Sequence, residues 1–496
     1  MSRPLAIALV PLLAAAFAAC TPPIAEVTAP PPPEPTASAT STTAALPLWI
    51  DSYVSALGAS WGDGYAFSGY LVVAHDGAVV FEKAYGKSDR EKGLPAARST
   101  RFRIGSLTKQ LTAAAVLTLV ERGALQLTDP LRKYVPEAPP SWAPITIHHL
   151  LTHTSGIASY TADAAFMAER DKPHTRAQVM SRFFDRPLVH EPGSRFAYSN
   201  SGYFLLGVVI ERVSHQSYEA YLTDRVLRPA GMSHTSTVDA PTAPDTAVGY
   251  TINDQDEVER ALTPDMSIPF AAGALRSTAE DLLAWDRALD GTSVLTAASR
   301  ERMFTVDKDT YAYGVNRSTF VGHDVLSHTG GIDGFTSYLA RALDDRWTVI
   351  ALSNNDAFEA KKVGGAALEM ALTGRPLTPP PELAPLAVDP PFAARVTGAY
   401  VLTEDSRRRL EEKVPKEILD SAAGMTISLE GDRLFMKPSG QPRVRVFRAA
   451  DAVLFTKRDP LELHLDPSDA SSRAVAVTLK QSGLEGRYER APTPPR

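Results

Sequence analysis

The chain has 496 residues, which is too long for one ordinary domain and allows two or three. Hydrophobic residues make up 44% and charged residues 22%, the balance of a soluble globular protein with enough apolar material for a large core. The formal net charge of −6 is small for this length, and no block rich in lysine and arginine occurs. We therefore expect neither nucleic acid nor an anionic membrane surface as a partner.

The first 20 residues have the pattern of a secretory signal. Arg3 gives a positive start and an apolar run covers residues 5–17, which is too short for a permanent membrane anchor. Two processing events are compatible with residues 16–20. We favour a lipobox at residues 17–20, because the only cysteine of the chain, Cys20, stands where a lipid would be attached. The alternative is an A-x-A cleavage site at residues 16–18. Both predict an exported bacterial protein, in the periplasm or outer membrane.

Local patterns predict the elements that come next. Residues 21–46 are rich in proline, threonine, alanine and serine, and this composition predicts a stiff, extended tether. Apolar residues on one helical face predict a helix over 48–57. Two strands are predicted at 70–73 and 79–85, with a hairpin turn at 75–77 whose glycine permits a positive φ.

The middle of the chain has mixed patterns. Residues 106–122 contain few polar side chains, which predicts a helix buried on most sides. A mixed, mainly helical region covers roughly 145–300. Strand patterns return at 337–343 and 347–353, and a helix is predicted around 359–372.

A second proline-rich stretch, residues 377–391, indicates a domain boundary. Beyond it, apolar and polar residues alternate at 427–429, 444–446, 461–465 and 475–479. This period of two, with turn residues between the segments, predicts a small antiparallel β domain.

The only S-x-x-K sequence of the chain begins at Ser106 and ends at Lys109. Positions i and i+3 of a helix share one face, so the Lys109 amine can reach the Ser106 hydroxyl. A serine hydroxyl needs an adjacent base to act as a nucleophile, and a lysine can serve if an apolar environment lowers its pKa. The alternative for an isolated match is a helix-capping serine followed by a surface lysine.

Two further motifs favour the catalytic interpretation. Tyr198 and Asn200 belong to a Y-S-N sequence before a helical run, where the phenol can move the proton of a serine and the amide can bind substrate or lysine. Residues 328–331 read H-T-G-G and enter a strand. Glycines there let a substrate approach a strand edge, and a backbone N–H can complete an oxyanion hole.

In this order the three motifs resemble the signature of serine β-lactamases and penicillin-binding proteins. The region 47–375 is similar to the class C β-lactamase and D-Ala-D-Ala carboxypeptidase type family, which includes esterases and D-aminopeptidases. Further similar stretches lie at 99–113, 145–157, 192–211, 273–285 and 328–339.

The resemblance implies an α/β (α+β) fold of the beta-lactamase/transpeptidase-like type. This fold has an antiparallel sheet flanked by helices plus an all-helical subdomain, with a small C-terminal antiparallel β domain that resembles a lipocalin. The expected organisation is a signal peptide at 1–20, a tether at 21–46, a serine hydrolase domain at 47–375, a linker at 376–392, and the β domain with a short tail at 393–496.

The resemblance also implies a role for each motif residue. Ser106 would be the acylated nucleophile, Lys109 its activator, and Tyr198 the general base that later protonates the leaving group. The remaining positions would contact substrate or form the oxyanion hole, with N–H groups from Ser106 and Gly331: Asn200, His328, Thr329, Gly330 and Gly331. Class C β-lactamases carry lysine at the position of His328. Histidine is mostly neutral at pH 7, so it binds a carboxylate less strongly, and we expect ester or peptide hydrolysis over efficient β-lactam hydrolysis.

Two other patterns have structural interpretations. Ser60 lies in a G-x-S-x-G sequence, but a helical pattern precedes it and a turn follows, so we expect a loop serine. His149 and His153 have i, i+4 spacing beside His148, but Leu150 stands where a zinc protease needs glutamate. We therefore expect no metal and no cofactor.

The sequence thus predicts a serine hydrolase that cleaves small amide or ester substrates through an acyl-enzyme at Ser106. Candidate substrates are a D-amino-acid peptide, an ester or a β-lactam, with peptidoglycan as a partner and membrane contact only through a lipid at Cys20. Two alternatives stay open. One is an acyltransferase that uses the same acyl-enzyme, and the other is a non-catalytic envelope protein that binds penicillin or peptidoglycan.

Overall fold

The structure is a computed structural model, and it describes residues 39–62, 64–237, 245–411, 413–414, 416–441, 443–458, 461–467, 472–481 and 483–492. The predicted signal peptide 1–20, with Cys20, lies outside the described residues, as do residues 21–38 of the predicted tether. In the described part of the chain, no helix combines the length and apolar character needed to span a membrane.

The first domain combines strands and helices along its whole length. Its strands are β1 (Gly69–His75), β2 (Ala78–Tyr85), β3 (Lys87–Asp89), β4 (Leu94–Pro95), β5 (Phe102–Arg103), β6 (Tyr250–Ile252), β7 (Val258–Arg260), β8 (Arg276–Ser277), β9 (Asn316–Phe320), β10 (His323–Ile332), β11 (Phe335–Ala342) and β12 (Trp347–Ser353). Its helices are α1 (Ala39–Ala56), α2 (Thr108–Glu121), α3 (Ile147–Leu151), α4 (Ala164–Met167), α5 (Arg176–Phe184), α6 (Asn200–Ser214), α7 (Tyr218–Leu222), α8 (Arg228–Ala230), α9 (Phe270–Gly273), α10 (Ala279–Ala288), α11 (Ala297–Phe304) and α12 (Ala360–Thr373).

A six-stranded antiparallel sheet in the order β2-β1-β12-β11-β10-β9 forms the centre of this domain. β1 and β2 form the predicted hairpin, and their connecting residues Asp76 and Gly77 have φ angles of 50° and 73°. Positive φ at both central residues gives a turn whose twist matches that of the flanking strands, which is why the D-G pair predicted it.

Each face of the sheet packs against a different helical layer. Side chains alternate along a strand, so Tyr70 and Val72 of β1 face a core that includes α2 and α6, whereas Leu71 and Val73 face α1 and α12. Burial on both faces explains why β1 is a continuous apolar run without alternation. The expected antiparallel sheet flanked by helices is confirmed.

Helix α1 is longer than the sequence predicted. It begins at Ala39, so residues 39–46, which we assigned to the tether, are helical. Leu46 is 2% exposed and lies on the same face as Ile50 and Val54, which are also buried. This i, i+4, i+8 spacing continues the apolar stripe one turn beyond the predicted start, and packing of that stripe on the sheet stabilises the additional turn.

The helical subdomain covers the other face of the sheet. The helix predicted over 106–122 consists of a 3₁₀ turn at Gly105–Leu107 followed by α2. Its alanine run 113–115 is fully buried, and the absence of long side chains there lets α6 and α9 pack closely around α2. Helices α3 to α11, interrupted by the short strands β6, β7 and β8, correspond to the predicted mixed region 145–300.

The C-terminal domain is a closed eight-stranded antiparallel barrel, β13 to β20. The strands are β13 (Gly398–Leu402), β14 (Gly424–Glu430), β15 (Arg433–Pro438), β16 (Val444–Ala450), β17 (Val453–Phe455), β18 (Leu461–Asp466), β19 (Ala476–Gln481) and β20 (Leu484–Arg490), with helices α13 (Pro390–Val396), α14 (Glu404–Glu411) and α15 (Lys416–Ser421). Pairing of β13 with β20 closes the barrel. Leu461, Leu463 and Leu465 of β18 all point into its core, as their alternation predicted.

Polar contacts join the barrel to the first domain. The Lys457 amine lies 2.9 Å from the Asp256 carboxylate in the turn between β6 and β7, and Arg443 lies 2.6 Å from Asp254 in the same turn. The Trp61 and Phe455 rings are in contact beside them, with centroids 6.0 Å apart. In the described part of the chain, the interface thus includes both ion pairs and contacts with aromatic rings.

Candidate active site

Ser106 lies at the junction between a short strand and a long buried helix. Strand β5 pairs with β8, and the chain then forms the 3₁₀ turn Gly105–Leu107 before α2 begins at Thr108. Ser106 is half-buried at this turn. The Leu107 N–H donates to the Ile104 carbonyl oxygen at 3.2 Å, and the Thr108 N–H donates to carbonyl oxygens of the same turn.

Gly105 brings this turn against strand β10. Its φ is +49°, a conformation that L side chains rarely adopt, and a Cβ atom there would stand only 2.8 Å from the amide nitrogen of Gly331. A Cβ on Gly330 would stand 2.0 Å from the carbonyl oxygen of Ile104. The two backbone segments are so close that neither position has room for a Cβ atom, so both residues must be glycine. As a result, the N–H groups of Ser106 and Gly331 lie at the contact between turn and strand.

Lys109 is fully buried and connects three elements. Its Nζ lies 2.9 Å from Ser106 Oγ, 2.9 Å from Asn200 Oδ1, and 2.8 Å from the carbonyl oxygen of Ala272 in α9. None of these three oxygens carries a negative charge. Burial without a counter-ion among the described residues disfavours the ammonium form, so the pKa of Lys109 lies well below its ordinary value. The neutral amine has two N–H groups, which Asn200 and Ala272 can accept, and a lone pair that can take a proton from Ser106.

Tyr198 forms a wall of the same site. The Lys109 amine lies 4.9 Å from the centre of its ring. Burial by the surrounding site raises the pKa of the phenol above its ordinary value, and the neighbouring Ser106 side chain partly opposes this rise. Because Tyr198 remains 38% exposed, solvent and substrate can reach it from the open side.

Asn200 is held at the first turn of α6. Its backbone N–H donates to Ser159 Oγ at 3.2 Å and its Nδ2 donates to Thr161 Oγ1 at 3.3 Å. These bonds orient Oδ1 toward Lys109, from which it accepts. Of the two partners proposed for this amide from the sequence, the structure contains the lysine.

His328 lies on β10 beside Tyr198, with ring centroids 6.3 Å apart. Its Nδ1 donates to the Thr329 carbonyl oxygen at 2.6 Å, which leaves Nε2 to accept from the Tyr311 hydroxyl at 3.1 Å. Burial, together with the charge of Lys109 when protonated, lowers the pKa of His328 to about 4. The imidazole is therefore neutral at pH 7.

Thr329 departs from the prediction that both residues face the substrate. In the β10–β11 ladder His328 lies opposite Leu339, which belongs to the core on the Ser106 side of the sheet. Thr329 lies opposite Tyr338, which packs in the core beneath α12. Since successive side chains of a strand point to opposite faces, His328 is directed toward the site and Thr329 away from it.

The edge of β10 is open along the H-T-G-G segment. Pairing with β9 ends at Ser327, opposite Asn316, so residues 328–332 extend beyond the neighbouring strand. Gly331 is exposed there, and no atom of the described residues lies within 4 Å of the position where its Cβ would stand. An extended ligand can therefore pair with this edge next to Ser106.

Two groups of the site were not predicted from the sequence. Tyr311, which hydrogen-bonds His328, comes from the loop before β9 and belongs to no motif. Ala272 contributes only its carbonyl oxygen, which residue type does not reveal. A periodicity or spacing rule would have found neither, because tertiary packing alone brings them to Lys109 and His328.

The histidines considered for zinc have other contacts. His149 Nδ1 accepts from the Thr146 N–H at 3.3 Å and completes the cap of α3. His148 Nδ1 pairs with the Tyr313 hydroxyl at 2.8 Å, and His153 Nδ1 accepts from the Ser199 N–H. Among the described residues, no group of three or more histidine, cysteine, aspartate or glutamate side chains is arranged to hold a metal ion.

The geometry therefore places a serine, a buried amine, a phenol and a glycine-lined strand edge around one site. A family model described as Beta-lactamase matches residues 50–372, which is more than half of the chain. The chain belongs to the beta-lactamase family. This family assignment confirms the resemblance that the three motifs carried, and the fold matches that of the family's serine hydrolases.

Relatives of the family extend the similarity into the barrel. The chain is 25% identical to penicillin-binding protein 4* of Bacillus subtilis (strain 168) over 452 residues, which cover 86% of this chain and 95% of the relative. The octameric penicillin-binding protein homologue from Pyrococcus abyssi has 25% identity and a TM-score of 0.58, over 84% of this chain and 95% of its own. A D-stereospecific amidohydrolase from Streptomyces sp. shares the fold at 24% identity, with a TM-score of 0.54 over 68% of this chain and 100% of its own.

Proposed function

We propose that the protein hydrolyses small amide or ester substrates through a covalent acyl-enzyme at Ser106. One observation carries this proposal. The Ser106 hydroxyl lies 2.9 Å from a lysine amine that is fully buried and whose three hydrogen-bonding neighbours are all uncharged. A neutral amine in that position is a base within hydrogen-bond distance of the nucleophile, which is the arrangement that serine acylation requires.

The proposed reaction has two halves. In the first, Ser106 Oγ transfers its proton to the Lys109–Tyr198 pair and attacks the substrate carbonyl carbon. The resulting oxyanion accepts hydrogen bonds from the N–H groups of Ser106 and Gly331, and Tyr198 donates the proton to the departing amine or alcohol. In the second, water gives a proton to the same pair, attacks the ester carbonyl, and releases the acid while Ser106 regains its proton.

The neutral state of His328 at pH 7 indicates which substrates the site can bind. With a pKa of about 4, this imidazole supplies no positive charge at pH 7 to a substrate carboxylate bound beside it. We therefore favour esters and amides that have no carboxylate at this position over penicillins. The D-stereospecific amidohydrolase with the same fold makes D-amino-acid amides and peptides natural members of a test panel.

We further propose that Cys20 carries a lipid and that the protein is an exported lipoprotein. The proposal rests on the apolar run 5–17 and on the position of the single cysteine directly after it. Expression of the full chain with a radiolabelled fatty acid tests it: the wild type should be labelled and Cys20→Ala should not. Equal labelling of both would contradict the proposal.

The hydrolase proposal is tested with the purified wild type, Ser106→Ala and Ser60→Ala. Each is incubated with short-chain p-nitrophenyl esters, D-alanyl-D-alanine peptides and a cephalosporin, and turnover and the mass of the intact protein are followed. We expect an acyl adduct on the peptide that contains Ser106, turnover that Ser106→Ala abolishes, and unchanged turnover in Ser60→Ala.

The panel also distinguishes the alternatives. Wild-type activity in Ser106→Ala would refute the nucleophile assignment. A stable adduct with no turnover of any substrate would favour a binding protein over a hydrolase. Esters formed in the presence of an added alcohol, at the expense of the free acid, would favour an acyltransferase.

A further inference from the structure

We infer that His153 is a positioning residue that holds Tyr198 against Ser106. The inference depends on the proposed function, because it assigns a purpose to the placement of Tyr198. His153 follows the short helix α3, outside the three catalytic motifs, and its side chain is 1% exposed. Its sequence context alone indicated a purely structural histidine.

The first observation is a pair of hydrogen bonds that bracket Tyr198. The N–H of Ala197 donates to the carbonyl oxygen of His153 at 2.8 Å, and the N–H of Ser199 donates to its Nδ1 at 3.1 Å. These amides belong to the residues directly before and after Tyr198. One histidine thus fixes the backbone on both sides of the proposed base.

The second observation is ring packing. The imidazole of His153 lies against the Tyr198 ring, with centroids 4.2 Å apart. It also contacts the rings of Tyr311, at 4.7 Å, and Tyr203, at 5.0 Å. The Tyr198 side chain is therefore fixed through its ring as well as through its backbone, and the same contacts link it to the tyrosine that orients His328.

The third observation is that His153 has a buried nitrogen for which the described part of the chain provides no partner, and a phenylalanine at this position would have no such nitrogen. Because Nδ1 accepts a hydrogen bond, the neutral imidazole carries its proton on Nε2. That Nε2 is buried and has no hydrogen-bond partner among the described residues. An unpaired buried polar group is destabilising, and phenylalanine would avoid it. What phenylalanine cannot provide is the acceptor for the Ser199 N–H.

The backbone of His153 suggests the variants to compare. Its φ is +56°, a conformation that asparagine tolerates better than most residues. His153→Asn keeps this tolerance and places an amide oxygen near the position of Nδ1, whereas His153→Phe keeps an aromatic ring without an acceptor. His149→Phe is the matched control, because it removes the same type of acceptor from a backbone N–H that lies outside the site.

The expected result is a loss of kcat that depends on Tyr198. We expect His153→Phe to lower kcat for an amide substrate by roughly 10- to 100-fold with little change in KM, since small misplacements of a catalytic group have effects of this size. His153→Asn should stay within about threefold of the wild type, and so should His149→Phe. The loss should be smaller with a p-nitrophenyl ester, whose leaving group needs no protonation by Tyr198.

A double-mutant cycle decides between positioning and general destabilisation. If His153 acts through Tyr198, adding His153→Phe to Tyr198→Phe should lower kcat by less than about threefold more, because residues that act as a unit are non-additive. Thermal unfolding confirms that every variant is folded at the assay temperature. Full multiplication of the two losses would overturn the inference while leaving the hydrolase proposal intact. Wild-type activity in Tyr198→Phe would instead overturn the role proposed for Tyr198 itself.

Discussion

Among the residues that the structure describes, two lysines are almost completely buried, one in each domain, and their surroundings are opposite. Lys109, at the candidate active site, is surrounded by a serine hydroxyl, an amide oxygen and a backbone carbonyl. Lys457, on the barrel, lies 2.9 Å from the carboxylate of Asp256 on the first domain. The hydrogen-bonding neighbours of Lys109 are thus uncharged, whereas Lys457 forms an ion pair.

The difference shows what each lysine is suited to do. Removing an ammonium group from water without a compensating negative charge favours loss of its proton, and the pKa of Lys109 is lowered for this reason. At the interface, by contrast, Lys457 and Asp256 form an ion pair between the two domains. Burial among uncharged groups thus suits Lys109 to the role of base that we propose for it, whereas the ion pair of Lys457 suits a structural role.

The largest effect is expected for Lys109, where a substitution should strongly lower activity but hardly change stability. Lys109→Met keeps the volume and removes the amine, so kcat should fall by at least about 10³-fold. The free energy of unfolding should change by less than about 2 kcal/mol, because loss of the desolvation cost offsets loss of the hydrogen bonds. Ester hydrolysis and chemical denaturation measure the two quantities. Unfolding of the variant under assay conditions would show that the lysine is structural.

The second prediction concerns pH and His328. The pKa of His328 is about 4 in the folded protein and about 6.5 in the unfolded chain. Above pH 6.5 the imidazole is neutral in both, so its ionisation does not change the free energy of unfolding. Between pH 6.5 and 4 the unfolded chain takes up a proton and the folded protein does not. The wild type should therefore lose about 3 kcal/mol of stability over this range that His328→Gln does not lose. Denaturation curves at pH 7, 5.5 and 4.5 check this, and parallel losses in both proteins would contradict it.

A smaller effect is expected at the domain interface. Lys457→Met leaves Asp256, which is 22% exposed at its side chain, with the hydrogen bond from the Tyr65 hydroxyl and the weaker contact to Arg445 at 3.8 Å. The free energy of unfolding should fall by about 1–3 kcal/mol, less than for a completely enclosed carboxylate. Turnover per folded molecule should stay within about twofold of the wild type, because Lys457 lies outside the candidate active site and the two sites share no partner among the residues that the structure describes. A marked loss of kcat would mean that the barrel influences the active site.

The smallest effect is expected for a partly exposed pair at the same interface. Arg443 and Asp254 are 39% and 33% exposed, although their atoms are only 2.6 Å apart, and Arg443 also pairs with the more exposed Glu430 of the barrel. Arg443→Gln should cost less than about 1 kcal/mol, because water screens the charges in both the folded and the unfolded protein. Chemical denaturation in low and high salt provides the measurement. A loss as large as that of Lys457→Met would show that burial does not distinguish the two pairs.

Much of the fold could be predicted from local patterns in the sequence. Alternation in 461–465 predicted strand β18, the apolar run 106–122 predicted the buried helix, and the D-G pair at 76–77 predicted its hairpin turn. The family was identifiable because three short motifs occur in one order. The start of α1 was placed too late, since proline and threonine dominated the composition while Leu46 extended the buried face.

The sequence by itself determined that Ser106 and Lys109 are neighbours, because three residues along a helix fix that geometry locally. It did not determine that the hydrogen-bonding neighbours of Lys109 are uncharged, that Thr329 points to the opposite face of the strand, or which residues Tyr311 and His153 contact. These features depend on which distant segments pack together. Contacts between such segments produce no periodic pattern in the sequence from which they could be predicted. Tertiary structure alone decided them, because burial and hydrogen-bond partners arise only when separate elements enclose the same space.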